Sequence, residues 1–206
     1  MDKFDFRTPQ PDLFSLTITG DRIQLLIINN KFANDIFREF TEEVTTYMIP
    51  SPPKHIEGTR DFIAASRQGV EAGYNLQFVV VSKKTGEFLG NCGLHGENKV
   101  NTSIGYTGET PASLSVNTPE LGIWLKKDAH GKGYGREAVC ALVDWSKKNI
   151  NLDYFIYPVD RRNIPSRKIP ESLGGEIFQE YPVKTSAVKT LDIVVYKIQV
   201  FDPGEH

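Results

Sequence analysis

The stretch HGKGYGREA, residues 130–138, follows the apolar segment ELGIWL, residues 120–125, and leads into a segment with helical spacing. Glycines stand at alternate positions, and Lys132 and Arg136 lie among them. Glycines ahead of a helix let consecutive backbone amides converge on one concavity, where the helix dipole also favours an anion. The sequence therefore predicts a strand, an anion-binding loop and a helix, in that order.

Two common nucleotide motifs fit this stretch poorly. A P-loop requires a hydroxyl residue after its lysine, but Gly133 follows Lys132. The dinucleotide motif G-x-G-x-x-A matches residues 133–138, with Asp160 as a candidate ribose-binding acid. In that fold, however, the first glycine ends the strand directly and more parallel units follow. Here residues 126–130 intervene and few residues remain after Asp160. A glycine-rich turn without a ligand stays open as the simplest alternative.

Composition narrows the class of protein. The chain has 206 residues and a formal net charge of −2, which gives no electrostatic reason to expect nucleic acid or an anionic membrane as partner. Apolar runs stay well below the ~20 residues of a membrane span, and the first residues lack the order of a signal peptide. We therefore expect a cytoplasmic protein. Cys92 and Cys140 lack metal-site spacing and are expected to be buried free thiols.

The remaining segments predict one mixed α/β domain over residues 14–202, preceded by an arm over residues 1–13 that wraps or frays. Residues 16–28 predict a strand pair or one bulged strand, and residues 30–44 a helix capped by Asn30. A proline-bearing loop follows over residues 47–55, then a second helix over 58–72, a hairpin over 76–94 and a polar excursion over 95–118. The opening stretch supplies a strand over 118–126 and a helix over 135–149. A strand over 153–159, a short helix over 163–174 and a final antiparallel pair over 176–181 and 191–200 complete the domain. This order is not a repeating βαβ series.

Together these segments resemble the GNAT acetyltransferases of the RimJ/RimL type, which acetylate protein N-termini. The family loop Gln/Arg-x-x-Gly-x-Gly/Ala appears as HGKGYG, residues 130–135, with His130 departing at the first position. The second motif, Asn-x-x-Ser with a later Leu-Gly pair, appears as NIPS, residues 163–166, and LGG, residues 173–175. The resemblance implies an α+β fold with a mostly antiparallel sheet of about seven strands. That sheet is splayed between the fourth and fifth core strands and has about four helices on its two faces.

The resemblance also implies direct transfer of an acetyl group from acetyl-CoA, the cosubstrate, to a primary amine without a metal. Backbone amides of residues 131–136 are expected to hold the pyrophosphate, and those of residues 123–125 to polarise the thioester carbonyl. Arg161, Arg162 and Arg167 either meet the adenosine phosphates or form a solvated basic face. The expected cofactor-binding residues are Ile123, Trp124, Leu125, His130, Gly131, Lys132, Gly133, Tyr134, Gly135, Arg136, Asn163 and Ser166.

Glu120 is the candidate general base, because it opens the strand that leads into the loop; a solvated strand-start acid is the alternative. His95 and His130 are secondary candidates. The family's usual tyrosine acid falls at Pro170, which cannot donate a proton and is expected to break its helix. Ser166 remains as a donor to the departing thiolate, or as a helix cap.

The acceptor is expected to be a protein or peptide N-terminal α-amine. A small amine, such as a polyamine or an aminoglycoside, and a catalytically idle CoA-binding module remain alternatives. An acidic cleft would favour a small cationic amine, and Glu42, Glu43, Glu57 and Glu109 lie in or near the segments expected to line it. A protein N-terminus also carries positive charge, so the sequence leaves the acceptor open. It leaves the oligomeric state open between monomer and homodimer.

Overall fold

The computed structural model describes residues 3–7, 11–96, 115–185 and 189–200. Eight strands and four α-helices lie in these ranges. In chain order they are β1 (Thr17–Thr19), β2 (Ile23–Ile27), α1 (Ala33–Glu39), α2 (Ile56–Ala72), β3 (Asn75–Ser82), β4 (Phe88–His95), β5 (Glu120–Leu125), α3 (Tyr134–Asn149), β6 (Tyr154–Asp160), α4 (Ile164–Ser172), β7 (Glu176–Lys184) and β8 (Thr190–Gln199).

All eight strands form one open sheet in the order β1-β2-β3-β4-β5-β6-β8-β7. Neighbouring strands are antiparallel except for β5 and β6, which are parallel and share the single register pair Glu120↔Ile156. The expected splay therefore lies between β5 and β6. The sheet has eight strands where about seven were expected, and of the two alternatives for residues 16–28 the strand pair is the one found.

The two faces of the sheet are built differently. Helices α3 and α4 cover one face, over a large core that includes Leu142 and Phe155. The other face carries two smaller apolar clusters. One packs under α1 and α2 around Ile63 and Val79, and the other lies on β6, β7 and β8 around Val195. In the ranges described, no helix is both long and apolar enough to cross a membrane.

The first helix is shorter than the sequence predicts. A 3-10 turn occupies Asn30–Phe32, and α1 ends at Glu39. The cap is Asn29, whose side chain accepts from the Lys31 amide at 3.0 Å, so the prediction of Asn30 as the cap is wrong. Phe40 leaves the helical conformation, and its ring packs 4.8 Å from that of Trp124. This contact between distant segments outweighs local helix propensity.

Residues 3–7 wrap against the domain: Phe4 is buried and its amide donates to the Gly73 carbonyl at 2.7 Å. Both cysteines are free, with Cys92 buried as expected and Cys140 only half-buried. Helix α4 continues through Pro170 to Ser172, so the expected break is wrong. Because the proline stands in the last turn, it removes a single hydrogen bond close to where the helix ends anyway.

Candidate active site

The opening loop begins where β5 ends. The Lys126 amide donates to the Leu89 carbonyl at 2.8 Å, and a 3-10 turn follows at Lys127–Ala129. The Nε2 atom of His130 then lies 2.8 Å from the Leu125 carbonyl oxygen. Since a carbonyl only accepts, Nε2 carries the hydrogen and donates it. His130 therefore ties the turn back to the strand end, which gives this departure from the family motif a structural role.

The three glycine positions of the loop differ in how strictly the backbone requires glycine. Gly131 and Gly133 adopt φ of 70° and 80°, a left-handed conformation that residues with a side chain adopt at a cost. Gly135 lies inside α3, where an added Cβ would stand 3.5 Å from Leu125 and 3.6 Å from Ile169, at ordinary contact distance. The backbone path thus requires glycine at the first two positions and tolerates a methyl group at the third.

The amides at the start of α3 are available to a ligand. Along residues 131–137, the first backbone amide that finds an acceptor among the described residues is that of Glu137, which donates to the Gly133 carbonyl at 3.1 Å. The first amides of any helix lack intrahelical partners and point at its N-terminal end. Lys132 and Arg136 add positive charge beside them. The loop therefore fits a phosphate-bearing group such as the CoA pyrophosphate.

Arg22, in the turn between β1 and β2, fastens this loop to the sheet. Its Nε lies 2.9 Å from Glu137 Oε2, and its Nη1 donates to the Lys132 carbonyl at 3.0 Å. The guanidinium also lies 4.7 Å from the centre of the Tyr134 ring. Arg22 carries no signal in the sequence, because nothing local shows that residues 115 positions apart will meet.

A cleft of about 550 Å³ lies beside the loop, between it and the turns that follow β1 and β3. Its lining includes five basic and three acidic side chains: Arg22, Lys83, Lys84, Lys126 and Lys132, with Asp21, Glu87 and Asp128. Lys126 is ion-paired with Glu87. With Arg22 also paired, to Glu137, the other lining side chains leave an excess of one positive charge next to the amides at the start of α3, and this favours an anionic ligand there.

The arginines considered for the adenosine phosphates are engaged within the protein. Arg161 pairs with Glu180 and Asp192, each at 2.8 Å, and Arg167 donates to the Tyr196 hydroxyl at 2.9 Å. Arg162 holds the fully buried Asp160 carboxylate, which is thus no ribose ligand. Together with the mostly antiparallel sheet, this rules out the dinucleotide alternative.

The end of β5 presents backbone to the gap between β5 and β6. Side chains alternate along it: Trp124 packs against Phe40 and Phe88, while Ile123 and Leu125 pack against the large core. Beyond Glu120 the strand has no register pair with β6 among the described residues. Residues 123–125 therefore offer a ligand their main chain, since their side chains are committed to packing.

Glu120 lies at the closed end of this gap, next to His95. The two residues face each other across β4 and β5, and both are half-buried. Burial raises the pKa of Glu120 to about 7 and lowers the pKa of His95 to about 4. A carboxyl that titrates near neutrality is a suitable base at physiological pH, and an acid solvated at a strand start would not be shifted in this way.

Ser166 lies on the opposite face of the sheet. Its amide donates to the Asn163 side chain at 3.3 Å, so Asn163 caps α4. The Ser166 hydroxyl lies 2.8 Å from that of Tyr157, whose pKa burial raises above its usual value. Tyr157 follows Ile156, the register partner of Glu120. Because neighbouring strand residues point to opposite faces, Glu120 and Ser166 stand at the same level on the two sides of the sheet.

The acidic residues expected in or near the acceptor cleft are partly neutralised by ion pairs. Glu43 forms an ion pair with Lys127 at 2.6 Å, and Glu57 pairs with Arg60 at 3.7 Å. Glu109 lies outside the described residues, as does most of the excursion over residues 95–118.

Comparison with known proteins places this geometry in a family. Residues 22–176 match the profile of the Acetyltransferase (GNAT) domain. The N-acetyltransferase p20 of Bacillus licheniformis is 29% identical over 132 residues, which cover 64% of this chain and 66%, just under two thirds, of that protein.

Two solved structures share the fold. RimJ of Mycobacterium smegmatis, in complex with CoA-disulfide, has a TM-score of 0.74 and 14% identity over 94% of this chain and 91% of its own. RimL, a ribosomal L7/L12 alpha-N-protein acetyltransferase in complex with coenzyme A, has a TM-score of 0.72 and 12% identity over 89% of this chain and 98% of its own. The chain therefore belongs to the GNAT family of acetyl-CoA-dependent acyltransferases.

Proposed function

We propose that this protein is an N-acetyltransferase that moves the acetyl group of acetyl-CoA to the N-terminal α-amine of a peptide or protein. The observation that carries the proposal is the position of Glu120 and Ser166 on opposite faces of the sheet where β5 and β6 meet. The gap between these strands would let an amine bound on one face reach a thioester whose sulfur lies on the other face. Direct transfer needs this arrangement and no nucleophilic side chain.

On the cofactor side, most of the proposed work falls to the backbone. The amides of residues 131–136 would hold the pyrophosphate, and the main chain of residues 123–125 would polarise the thioester carbonyl. Arg22 supports the loop through its contacts with Glu137 and the Lys132 carbonyl. We assign Lys132 and Arg136 a smaller, electrostatic share, since exposed charges are screened by salt.

On the acceptor side, Glu120 would take a proton from the ammonium, and the freed nitrogen would attack the acetyl carbon. The carbon–sulfur bond then breaks, the CoA sulfur leaves as a thiolate, and the new amide nitrogen passes its remaining extra proton to that thiolate. Because burial raises its pKa, the Tyr157 phenol stays protonated and can act as the donor in its 2.8 Å hydrogen bond with Ser166. This leaves the serine hydroxyl hydrogen for the thiolate.

Proton affinities favour an α-amine over a polyamine. Moving a proton from an α-amine, with a pKa of about 7.7–8.0, to a carboxylate whose pKa is about 7 costs roughly 1 kcal/mol. The same transfer from an alkylamine, with a pKa of about 10.4, costs roughly 4–5 kcal/mol. The ion pairs of Glu43 and Glu57 also weaken the case for an acidic polyamine cleft. The structural neighbour RimL acts on a protein α-amine, which supports the same choice.

A thiol-release assay with acetyl-CoA across peptides, polyamines and aminoglycosides tests the proposal. We expect release with peptides that have a free α-amine, and little with the other amines. Faster release with a polyamine or an aminoglycoside would contradict the acceptor. Silence on every amine, combined with thermal stabilisation by acetyl-CoA, would point to the idle binding module. A lack of stabilisation at millimolar acetyl-CoA would overturn cofactor binding itself.

A further inference from the structure

His95, the last residue of β4, belongs to a row of polar side chains on the acceptor face of the sheet. It lies opposite Asn75 on β3 and opposite Glu120 on β5. Directly opposed residues in antiparallel strands share a face, with Cβ atoms about 4.5–5.5 Å apart. The imidazole therefore lies next to the candidate base, on the side of the sheet where the amine would bind.

The hydrogen bonding of His95 fixes which ring nitrogen carries the hydrogen. Nδ1 lies 2.7 Å from the Asn75 side-chain oxygen. An amide oxygen only accepts, so Nδ1 carries the hydrogen. Burial lowers the pKa of the ring to about 4, and His95 is therefore neutral at pH 7. Its Nε2 atom then holds an unprotonated lone pair, a hydrogen-bond acceptor directed away from Asn75.

A pair of glycines makes room for this nitrogen. Gly93 and Gly122 are register partners in β4 and β5. A Cβ built on Gly93 would lie 2.6 Å from His95 Nε2, and one built on Gly122 would lie 3.3 Å from it. Nε2 thus lies over the glycine pair, where a side chain at Gly93 would displace it. The Gln77 side-chain oxygen would lie 2.8 Å from the same Gly93 Cβ, so His95 and Gln77 together fill the space over Gly93, and among the described residues His95 borders the space over Gly122.

We propose that His95 is an acceptor-binding residue, whose Nε2 accepts a hydrogen bond from the substrate amine while Glu120 removes its proton. This inference rests on the proposed function. With one proton lost to Glu120 and one N–H held by Nε2, the nitrogen lone pair is left for the acetyl carbon. Asn75 acts as a positioning residue, because it fixes the tautomer that leaves Nε2 unprotonated.

The ring serves this role as a hydrogen-bond acceptor and not as the base. A group with a pKa of about 4 is a poor acceptor of a proton from an ammonium, whereas Glu120 is well matched to it. The two side chains have separate roles: the Glu120 carboxylate removes a proton, and the His95 imidazole orients the neutral amine that results. The substrate class that fits is an amine that keeps an N–H after deprotonation.

The test is steady-state kinetics of His95→Phe and Asn75→Leu with a peptide acceptor. His95→Phe keeps the ring volume and removes both nitrogens, and we expect kcat/KM for the peptide to fall about tenfold, as for loss of one buried hydrogen bond. Asn75→Leu keeps the imidazole but no longer fixes its tautomer, and we expect kcat/KM for the peptide to fall about threefold. The KM for acetyl-CoA should stay unchanged in both, whereas general damage to the fold would raise it too.

Asn149→Leu is the matched control, since Asn149 also bonds locally through its side chain, to the Trp145 carbonyl at 2.7 Å, at the far end of α3. It should leave the peptide kinetics unchanged. A folded His95→Phe variant with kcat/KM within twofold of the wild type would overturn the inference. Should that variant fail to fold, an unchanged Asn75→Leu would overturn it instead. If the wild type releases no thiol with any peptide, the proposed function fails, and this outcome is distinct from a wild type that is active and insensitive at His95.

Discussion

The loop at residues 126–136 and the row of side chains around Glu120 lie at opposite ends of β5, and they are built on different principles. The loop presents main-chain amides, and its shape depends on positive φ at Gly131 and Gly133. The row around Glu120 depends on side-chain chemistry, set by the register of β3, β4 and β5. Conservative substitutions should therefore act through backbone shape in the loop and through lost functional groups in the row around Glu120.

The largest effect on activity should come from the row of side chains around Glu120. Glu120→Gln preserves size and removes the proton acceptor, and we expect kcat/KM for a peptide amine to fall about 100-fold, in the range for loss of a general base. Thermal stabilisation by acetyl-CoA should be unaffected. The exposed Glu176→Gln on β7 is the control. Equal activity of Glu120→Gln and wild type at pH 7–8 would remove Glu120 from the mechanism.

The same substitution should stabilise the fold in a pH-dependent way. The pKa of Glu120 is raised to about 7, so between about pH 4.5 and pH 7 the unfolded chain loses its proton first and wild-type stability falls as pH rises. Glutamine stays neutral throughout. We expect Glu120→Gln to gain about 3 kcal/mol on the wild type at pH 8 relative to pH 4. Urea denaturation at both pH values measures this, and a pH-independent difference would refute the shifted pKa.

At the backbone end, Gly133→Ala adds one methyl group at φ of 80° and places it 3.3 Å from Arg22 Nη2. We expect the KM for acetyl-CoA to rise about tenfold, because the left-handed conformation costs roughly 1 kcal/mol and the amides shift. Gly73→Ala is the matched control, with the same φ of 80° at the end of α2. If both variants bind acetyl-CoA like the wild type, the loop does not act through its shape.

The smallest effect should come from a charge within the loop. Lys132→Ala removes an exposed cation but no amide, and we expect a two- to threefold rise in the KM for acetyl-CoA that vanishes at high salt. Lys147→Ala, in the last turn of α3, provides the comparison. A rise in the KM for acetyl-CoA above tenfold that persists at high salt would indicate that side chains, and not backbone amides, dominate phosphate binding.

The loop was the part of the site most open to prediction from sequence. Strand, glycines and helix are adjacent in the chain, and their spacing alone indicates converging amides. Helix α1 shows the limit of local reasoning: its periodicity continued past Glu39, but Phe40 turns away to pack against Trp124. Helix propensity is a local property and does not reflect a contact between distant segments.

The supporting contacts could not be predicted, because they join distant segments. Arg22 meets Glu137 across 115 positions, and Asn75 meets His95 only because β3 and β4 pair in one register. A shift of one residue in that register would send these side chains to the other face. Tyr157 carried no signal beyond strand alternation, although it is bonded to Ser166.

The preference for an α-amine can be measured with one peptide that contains both a free α-amine and a lysine side chain. After incubation with acetyl-CoA at pH 7.5, tandem mass spectrometry locates the acetyl group. Because the α-amine gives up its proton at roughly 3–4 kcal/mol lower cost, we expect it to be acetylated at least about tenfold faster than the lysine. Equal or faster acetylation of the lysine side chain would contradict an α-amine transferase built around Glu120.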